Sequence, residues 1–460
     1  MKKLIILSTL IFLTFFLNAE ALYNLEYLKS AIENHNPDLL LAKEEYNRSL
    51  YDLKDAYANF GPTLDFQASG TYMVNPPVGS ISINVDDILN SVQWPSGIKP
   101  AVSGQYIKVY DGMEPFNYSF GLTLNQPVFT WGKITNGAKL YKEVSKIQAL
   151  NYENEKDKLV AELETRLSVL VYLHQIQDIL LEEQELAARL VKYSEDAEES
   201  GMILHQDVVD AKIQAKEIDL AIQGIKEQVS NQLIELSRQT GIENLQWEQI
   251  EYSLDEELVP QIFERDRNEM MEKALSGENK NIKMILMLQN VNELATKISK
   301  ASLYYKPDIG LQMSASYGGS RFPFFEPNWR RKDDYTMNIS IGIKTTVWDG
   351  GKKLNDVARK ISQEATGSIN VDSARSTIRK TISEQWNTAD ISKIKVEYQD
   401  LKIETALSKI QQQTTLYENG VASESDLISA KIQWCNERIE KAQQELSLVT
   451  ACYTLKILSM

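Results

Sequence analysis

Four stretches of the chain alternate apolar and polar residues with a period of two. They lie at about residues 63–73, 115–129, 307–317 and 335–347. In the last stretch, Met337, Ile339 and Ile341 alternate with polar neighbours. This pattern predicts strands of about ten residues with one apolar and one polar face, as in a transmembrane barrel. A half-buried sheet on a soluble core is the alternative for one strand, but two such hairpins joined to long helices favour the barrel.

Apolar residues in the rest of the chain recur every three or four positions, which is the period of a coiled-coil seam. The first seam comprises Ala211, Ala215, Ile218, Ile222, Ile225, Val229, Leu233 and Leu236. The second comprises Ile432, Cys435, Ile439, Ala442, Leu446, Val449 and Tyr453. No proline occurs from residue 128 to 259 or from 328 to 460. Because an interior proline costs a helix about 3 kcal/mol, these tracts predict very long helices.

The chain contains the same arrangement twice. Gly201 and Gly420 each interrupt a helical tract, and each is followed six residues later by aspartate, Asp207 and Asp426. An Ala-Lys-Ile triplet follows each aspartate at the same distance. The sequence therefore predicts two helical hairpins with tips near 201 and 420, each preceded by a strand pair. The predicted divisions are a first repeat at 22–241, a connector at 242–277 and a second repeat at 278–460.

The N-terminus has the order of a secretory signal. Lys2 and Lys3 precede an apolar run at 4–17. The run is followed by Ala19-Glu20-Ala21, in which two small residues stand on either side of a third, as at a cleavage site. We expect a signal peptide at 1–21, and therefore export from the cytoplasm. The run is too short to cross a bilayer as a helix.

Composition narrows the possible functions. The formal net charge of −15 argues against nucleic acid or anionic lipid as a general partner. Cys435 and Cys452 are too far apart on one helix for a disulfide, so we expect free thiols. The histidines and cysteines lack metal-ligand spacing, and no nucleophile is accompanied by a base. We therefore expect no enzyme activity, cofactor or metal.

Several short motifs resemble those of the TolC-like outer-membrane efflux proteins. They are the signal peptide, the repeat order, Asn36-Pro37-Asp38-Leu39, Gln126-Pro127-Val128-Phe129, and a tip glycine followed six residues later by aspartate. The resemblance covers essentially the whole mature chain.

That family implies a mixed α and β membrane protein and a homotrimer. Its twelve strands form an outer-membrane β-barrel, continued by a long periplasmic α-helical coiled-coil barrel. The family passes substrates from an inner-membrane transporter, through a periplasmic adaptor, across the periplasm and outer membrane, in tripartite efflux or type I secretion. The loops at 74–114, enlarged by an insertion of 26 residues, and at 318–334 would face outside. The competing function is a periplasmic coiled-coil adaptor or scaffold without a pore.

The resemblance also implies functional residues at the hairpin tips. Tyr417 stands at the family's tyrosine position, Asp207 at its partner aspartate and Asp426 at the first carboxylate of the constriction. Ser429 and Ala422 replace a second aspartate and a basic residue, and Asp210 adds a carboxylate in the first repeat. The gating set is therefore Asp207, Asp210, Tyr417 and Asp426. The alternatives are that the aspartates cap helices and that Tyr417 is ordinary helix packing. For His205, two residues before Asp207, the two interpretations are a pH sensor and an exposed tip residue.

Four aromatic residues stand next to the strands. Trp131 and Trp348 lie at the two junctions between strand and helix, and Tyr304 and Tyr305 lie just before the third strand. Such residues are typical of a membrane interface.

Overall fold

The computed structural model describes residues 22–95, 104–319 and 335–459. The predicted signal peptide and most of the loop at 318–334 lie outside these residues. Ten helices are described: α1 (Leu25–His35), α2 (Pro37–Ala58), α3 (Val85–Ser91), α4 (Lys133–Glu199), α5 (His205–Thr240), α6 (Leu258–Glu264), α7 (Arg267–Leu275), α8 (Lys280–Ala301), α9 (Lys352–Glu418) and α10 (Glu424–Leu458). The described strands are β1 (Tyr23–Asn24), β2 (Thr63–Tyr72), β3 (Ile81–Asn84), β4 (Tyr106–Tyr110), β5 (Phe116–Phe129), β6 (Ile250–Glu251), β7 (Asp308–Gly319) and β8 (Tyr335–Lys344).

The chain divides into two compact units. The strand unit comprises residues 52–141 and 293–362, and the helical unit comprises the remainder. No helix among the described residues is both long and apolar enough to cross a membrane.

The four long strands form one antiparallel sheet in the order β2-β5-β7-β8. The register places Leu64 opposite Leu124, Leu124 opposite Met313 and Met313 opposite Ile339. Because paired residues point to the same side, this row belongs to a continuous apolar face. One position along, the register aligns Asp65, Thr123, Ser314 and Asn338, so the other face is polar.

In the described part of the chain, the apolar face of the sheet is uncovered along the edge strands β2 and β8. Leu64, Ile339 and Ile341 are 65%, 63% and 75% exposed. The outer edges of β2 and β8 also have no strand paired with them among the described residues.

Four long helices of the helical unit lie side by side in the order α9, α10, α4, α5. The pairs Lys402–Glu437 and Lys441–Asp400 join α9 to α10, at 2.5 and 2.6 Å. The pairs Arg438–Glu182 and Arg189–Glu424 join α10 to α4, at 2.6 and 3.2 Å. The pair Lys212–Glu195 joins α4 to α5 at 2.7 Å. The helices α9 and α5 therefore lie at the two ends of this row.

The predicted seam residues supply the apolar core of this row. Ala211, Ile218 and Ile222 of α5 pack in one cluster with Ile432 and Cys435 of α10 and with residues 176–190 of α4. Cys435 and Cys452 are fully buried free thiols, which confirms the prediction that they form no disulfide.

The connector contacts both repeats in the helical unit. Its strand β6 pairs in parallel with β1, through Tyr23–Ile250 and Asn24–Glu251. The Tyr252 hydroxyl lies 2.9 Å from Ser168 Oγ of α4 and 3.2 Å from the Tyr453 hydroxyl of α10. These buried and half-buried hydroxyls hold the connector against both long helices.

Candidate functional site

The tip of the first hairpin is a tight turn between α4 and α5. Gly201 has φ 71°, a left-handed conformation that favours glycine because it has no Cβ. Its N–H donates to Glu198 O at 2.8 Å, and the Met202 N–H donates to Ala197 O at 2.9 Å. These bonds satisfy the last carbonyls of α4, as glycine-terminated helices commonly do.

The second tip repeats this turn between α9 and α10. Gly420 has φ 69°, and its N–H donates to Tyr417 O at 2.9 Å. The Val421 N–H donates to Leu416 O at 2.8 Å. The glycine of each repeat therefore ends one long helix and reverses the chain direction.

Asp207 and Asp426 have the same local role in the two repeats. The Leu204 N–H donates to Asp207 Oδ2 at 2.9 Å, and the Ser423 N–H donates to Asp426 Oδ2 at 3.0 Å. Each carboxylate thus caps the start of the returning helix, where a negative charge is also favoured by the helix dipole. Capping was one of the two alternatives for these residues, and it leaves both carboxylates exposed to solvent.

The second tip has the more complete cap. Ser423 Oγ accepts from the Asp426 N–H at 3.1 Å and donates to Asp426 Oδ2 at 2.6 Å. The Ser423 hydroxyl and N–H hold the pKa of Asp426 below its usual value, so this carboxylate is ionised at neutral pH. Leu204 occupies the equivalent position in the first repeat and has no side-chain acceptor to offer.

The other predicted tip residues are also exposed. Tyr417 is 42% exposed, and Asp210 Oδ1 accepts from Gln206 Nε2 at 2.9 Å. His205 Nδ1 lies 2.8 Å from Glu198 Oε1 across the first turn. Within the described part of one chain, no hydrogen bond joins Tyr417 to Asp207.

The structure adds three tip residues that the sequence reasoning did not select. Met202, Leu204 and Val421 are 71%, 73% and 74% exposed. Large apolar side chains at the ends of both hairpins are typical of a surface that contacts another protein. The signal in the sequence was an apolar residue after each tip glycine, but exposure had to be seen in the structure.

The predicted interface aromatics lie at the two junctions of the strand unit. Trp131 Nε1 donates to Pro307 O at 2.8 Å, and the Tyr304 hydroxyl donates to Asp349. Trp348 and Tyr305 are 81% and 71% exposed. Trp131 and Tyr304 are thus held by hydrogen bonds, whereas Trp348 and Tyr305 are largely exposed.

These features define a class of protein: a duplicated chain with a two-faced antiparallel sheet and paired helical hairpins. The family model described as outer membrane efflux protein matches residues 28–242. No curated protein matches this sequence.

Solved structures share this fold over nearly the whole chain. The outer membrane protein VceC of Vibrio cholerae matches with a TM-score of 0.70 at 14% identity, over 94% of each chain. The outer-membrane channel OprN matches with a TM-score of 0.72 at 13% identity, over 95% of this chain and 89% of that one. The outer membrane channel CmeC of Campylobacter jejuni matches with a TM-score of 0.68 at 14% identity, over 95% and 85%.

The resemblance to the TolC-like outer-membrane efflux proteins is therefore confirmed. The family model, which matches residues 28–242, also confirms the predicted function in outline, an outer-membrane exit duct for efflux. The family is one of ducts and not of enzymes.

The helical row contains buried acids, of which Glu183 is the most deeply buried. Glu183 of α4 is 3% exposed, beside the fully buried Cys435, and its side chain hydrogen-bonds to Asn436. Burial raises the pKa of Glu183 to about 7, and the Asn436 hydrogen bond opposes this shift. Glu182 and Arg438, on the same two packed helices, form an ion pair with each other at 2.6 Å.

Glu183→Gln should remove a pH dependence of stability. The folded protein holds the Glu183 proton more tightly than the unfolded chain does, so its stabilising contribution is complete below about pH 4.5 and is lost as the pH rises to about 7. The total is about 3 kcal/mol. Unfolding followed by circular dichroism at pH 5 and pH 8 should show a smaller fall in stability for the variant than for the wild type.

The control is Glu185→Gln, which removes a carboxylate from the exposed side of the same helix. If the stability of the Glu183 and Glu185 variants had the same pH dependence as that of the wild type, the conclusion that burial raises the pKa of Glu183 would be wrong.

Proposed function

We propose that three copies of this chain close into a ring and form a continuous duct for export across the periplasm and outer membrane. The observation that carries the proposal is the same in both units. The sheet ends in β2 of the first repeat and β8 of the second, and the helical row ends in α5 of the first repeat and α9 of the second. Because the two ends differ, one end of a copy joins the other end of the next copy. Such head-to-tail contacts generate a ring when the rotation from one copy to the next adds up to a full turn.

The sheet requires this completion because of its surroundings. Its exposed apolar face fits the hydrocarbon of a membrane, where each unpaired backbone group costs several kcal/mol. Pairing β2 of one copy with β8 of the next removes both edges. Two copies would give eight strands, whose interior is filled by side chains, whereas three give twelve strands with space for a water-filled lumen lined by the polar face.

The helical row has matching apolar surfaces at its two ends. On α9, Ile391, Ile394, Tyr398 and Leu401 follow a heptad spacing and are 54%, 65%, 58% and 64% exposed. On α5, Ile213, Leu220 and Ile234 stand seven or fourteen residues apart and are 51%, 72% and 64% exposed. Such stripes are typical of coiled-coil seams that lack a partner helix, so we infer that α9 of one copy packs against α5 of the next.

The tips would supply the contacts with the rest of the export system. Met202, Leu204 and Val421 offer apolar contacts for a periplasmic adaptor that links the duct to an inner-membrane transporter. Asp207, Asp210 and Asp426, with Tyr417, would form the gating constriction. Because a ring of carboxylates in a narrow pore attracts cations, this constriction should prefer cations over anions. The chain would reach the outer membrane by the predicted signal peptide at 1–21, with a large periplasmic part.

The aromatic residues at the junctions fit the level of a membrane interface. Trp131, Trp348, Tyr304 and Tyr305 would lie where the apolar sheet face ends, in the belt that tryptophan and tyrosine favour. A periplasmic adaptor or scaffold without a pore has no need for a sheet with an exposed apolar face, so we do not favour that alternative.

Ile341→Lys should impair insertion into the outer membrane. Ile341 lies on the exposed apolar face, where a lysine in the middle of the hydrocarbon costs about 2–4 kcal/mol. The control is Ser340→Lys, on the polar face of the same strand. We expect the Ile341 variant to be depleted from outer-membrane fractions while the Ser340 variant stays at the wild-type level. Equal recovery of both variants would argue against lipid contact at this face.

Leu220→Glu should weaken the ring between copies. It places a charge within the α5 stripe, which we expect to be buried by α9 of the next copy. Ala221→Glu is the control, because its exposed side chain points about 100° away around the helix. Light scattering in detergent should show monomers for the Leu220 variant and trimers for the control. Intact trimers of the Leu220 variant would place the interface elsewhere.

Asp207→Asn and Asp426→Asn should lower the preference for cations in single-channel recordings. Asparagine keeps a side-chain oxygen for capping, so charge is removed while the tip turn is retained. Asp255→Asn, in the connector, controls for the loss of one carboxylate per chain. Unchanged ion selectivity in both tip variants would rule out the proposed constriction.

A further inference from the structure

The insertion between β2 and β5 contains an ordered ribbon. The Met73 N–H donates to Pro115 O at 2.6 Å, and the Met113 N–H donates to Val78 O at 2.9 Å. The strands β3 and β4 then pair from Ile81–Tyr110 to Asn84–Tyr106. We call this two-stranded element, residues 81–84 and 106–110, the outer ribbon. It prolongs the β2–β5 hairpin past the end of the sheet.

The far end of the outer ribbon is closed by local hydrogen bonds. The Val85 N–H donates to Gln105 O at 2.8 Å, and the Gly104 N–H donates to Asp86 Oδ2 at 2.9 Å. Trp94 Nε1 donates to Leu89 O at 2.8 Å, across the end of α3. Beyond its own hairpin partner, neither β3 nor β4 pairs with another of the described strands.

One face of the outer ribbon is apolar and uncovered. The pairs Ile81–Tyr110 and Ile83–Ile107 supply the apolar side chains: Ile81 and Ile83 share a side because they are two apart on β3, Ile107 is paired with Ile83, and Tyr110 is paired with Ile81 beyond a register shift. Their side chains are 52%, 43%, 38% and 53% exposed, in that order. The opposite face carries Ser82, Asn84, Tyr106 and Lys108.

An isolated two-stranded hairpin is only marginally stable in water. Within the chain, α3 does not supply the missing cover, since its own apolar residues Ile88 and Val92 are 44% and 49% exposed. Among the residues that the structure describes, the apolar face of the outer ribbon is therefore left without a partner.

We propose that this face packs against the outer ribbon of a neighbouring copy, which ties the copies together at the outer end of the sheet. The inference rests on the ring proposed above. Each ribbon prolongs a hairpin whose strand β2 forms the sheet edge where the next copy would join. Ring formation would thus hold the ribbons at the same end and at high effective concentration.

The charges near the outer ribbon favour another copy over a lipid surface. The described residues of the insertion include Asp86, Asp87, Asp111 and Glu114, whereas Lys108 is their one basic residue and pairs with Asp111 at 2.7 Å. An acidic segment is repelled by anionic headgroups. The apolar face itself carries no charge, so copies can meet there without placing like charges in contact.

A site-specific photo-crosslinker tests the contact in the full chain. Ile107→p-benzoylphenylalanine places the probe on the apolar face, and Tyr106→p-benzoylphenylalanine places the same probe on the opposite face of the same strand. After irradiation of outer membranes, we expect covalent dimers and trimers of this chain at position 107, at least about fivefold more than at position 106.

The assembly state of each variant separates the two proposals. If the trimer forms but position 107 gives no more crosslinked copies than position 106, the contact between outer ribbons is wrong and the ring stands. Adducts of position 107 mainly with lipid, or with a different protein, would overturn the contact in the same way. If both variants and the wild type are monomeric, the ring and the ribbon contact fail together.

Discussion

A backbone amide or carbonyl that lacks a hydrogen-bond partner in hydrocarbon costs several kcal/mol, and the sheet of this protein ends in two rows of such groups. One face of the same sheet is apolar and exposed, so water is not its natural surrounding. The proposed pairing of β2 with β8 of another copy would satisfy the edges, and membrane hydrocarbon would cover the apolar face. The proposed ring, lumen and duct all depend on this requirement of the backbone.

The internal duplication explains why both units have two unlike ends. Each repeat contributes two strands and one helical hairpin, and the repeats join through inner elements: β5 with β7 in the sheet, and α4 with α10 in the helical row. The elements left outside then come from different repeats. A chain built in this way is predisposed to a head-to-tail ring. In the sheet, β2 is the counterpart of β7 and β8 is the counterpart of β5, so pairing β8 with β2 of another copy would repeat the β5–β7 pairing inside the chain.

The tips show how one residue serves structure and electrostatics together. Asp207 and Asp426 satisfy backbone N–H groups at the start of the returning helices, yet each carboxylate remains exposed to solvent. Capping therefore fixes the position of the charge and does not compete with a role in ion passage. Glu183 illustrates the opposite case, since burial among apolar helices favours its neutral form.

The sequence alone determined the local structure, because periodicity, proline spacing and tip glycines act within a few residues of each other. The alternation at Met337, Ile339 and Ile341 indicated a two-faced strand, and the equal spacing of Gly201 and Gly420 indicated equivalent tips. Tertiary structure decided which elements became neighbours: the order β2-β5-β7-β8, the uncovered stripe that contains Leu220, and the apolar face of the outer ribbon. Those features depend on contacts between residues far apart in sequence, and exposure is known only once every neighbour has its place.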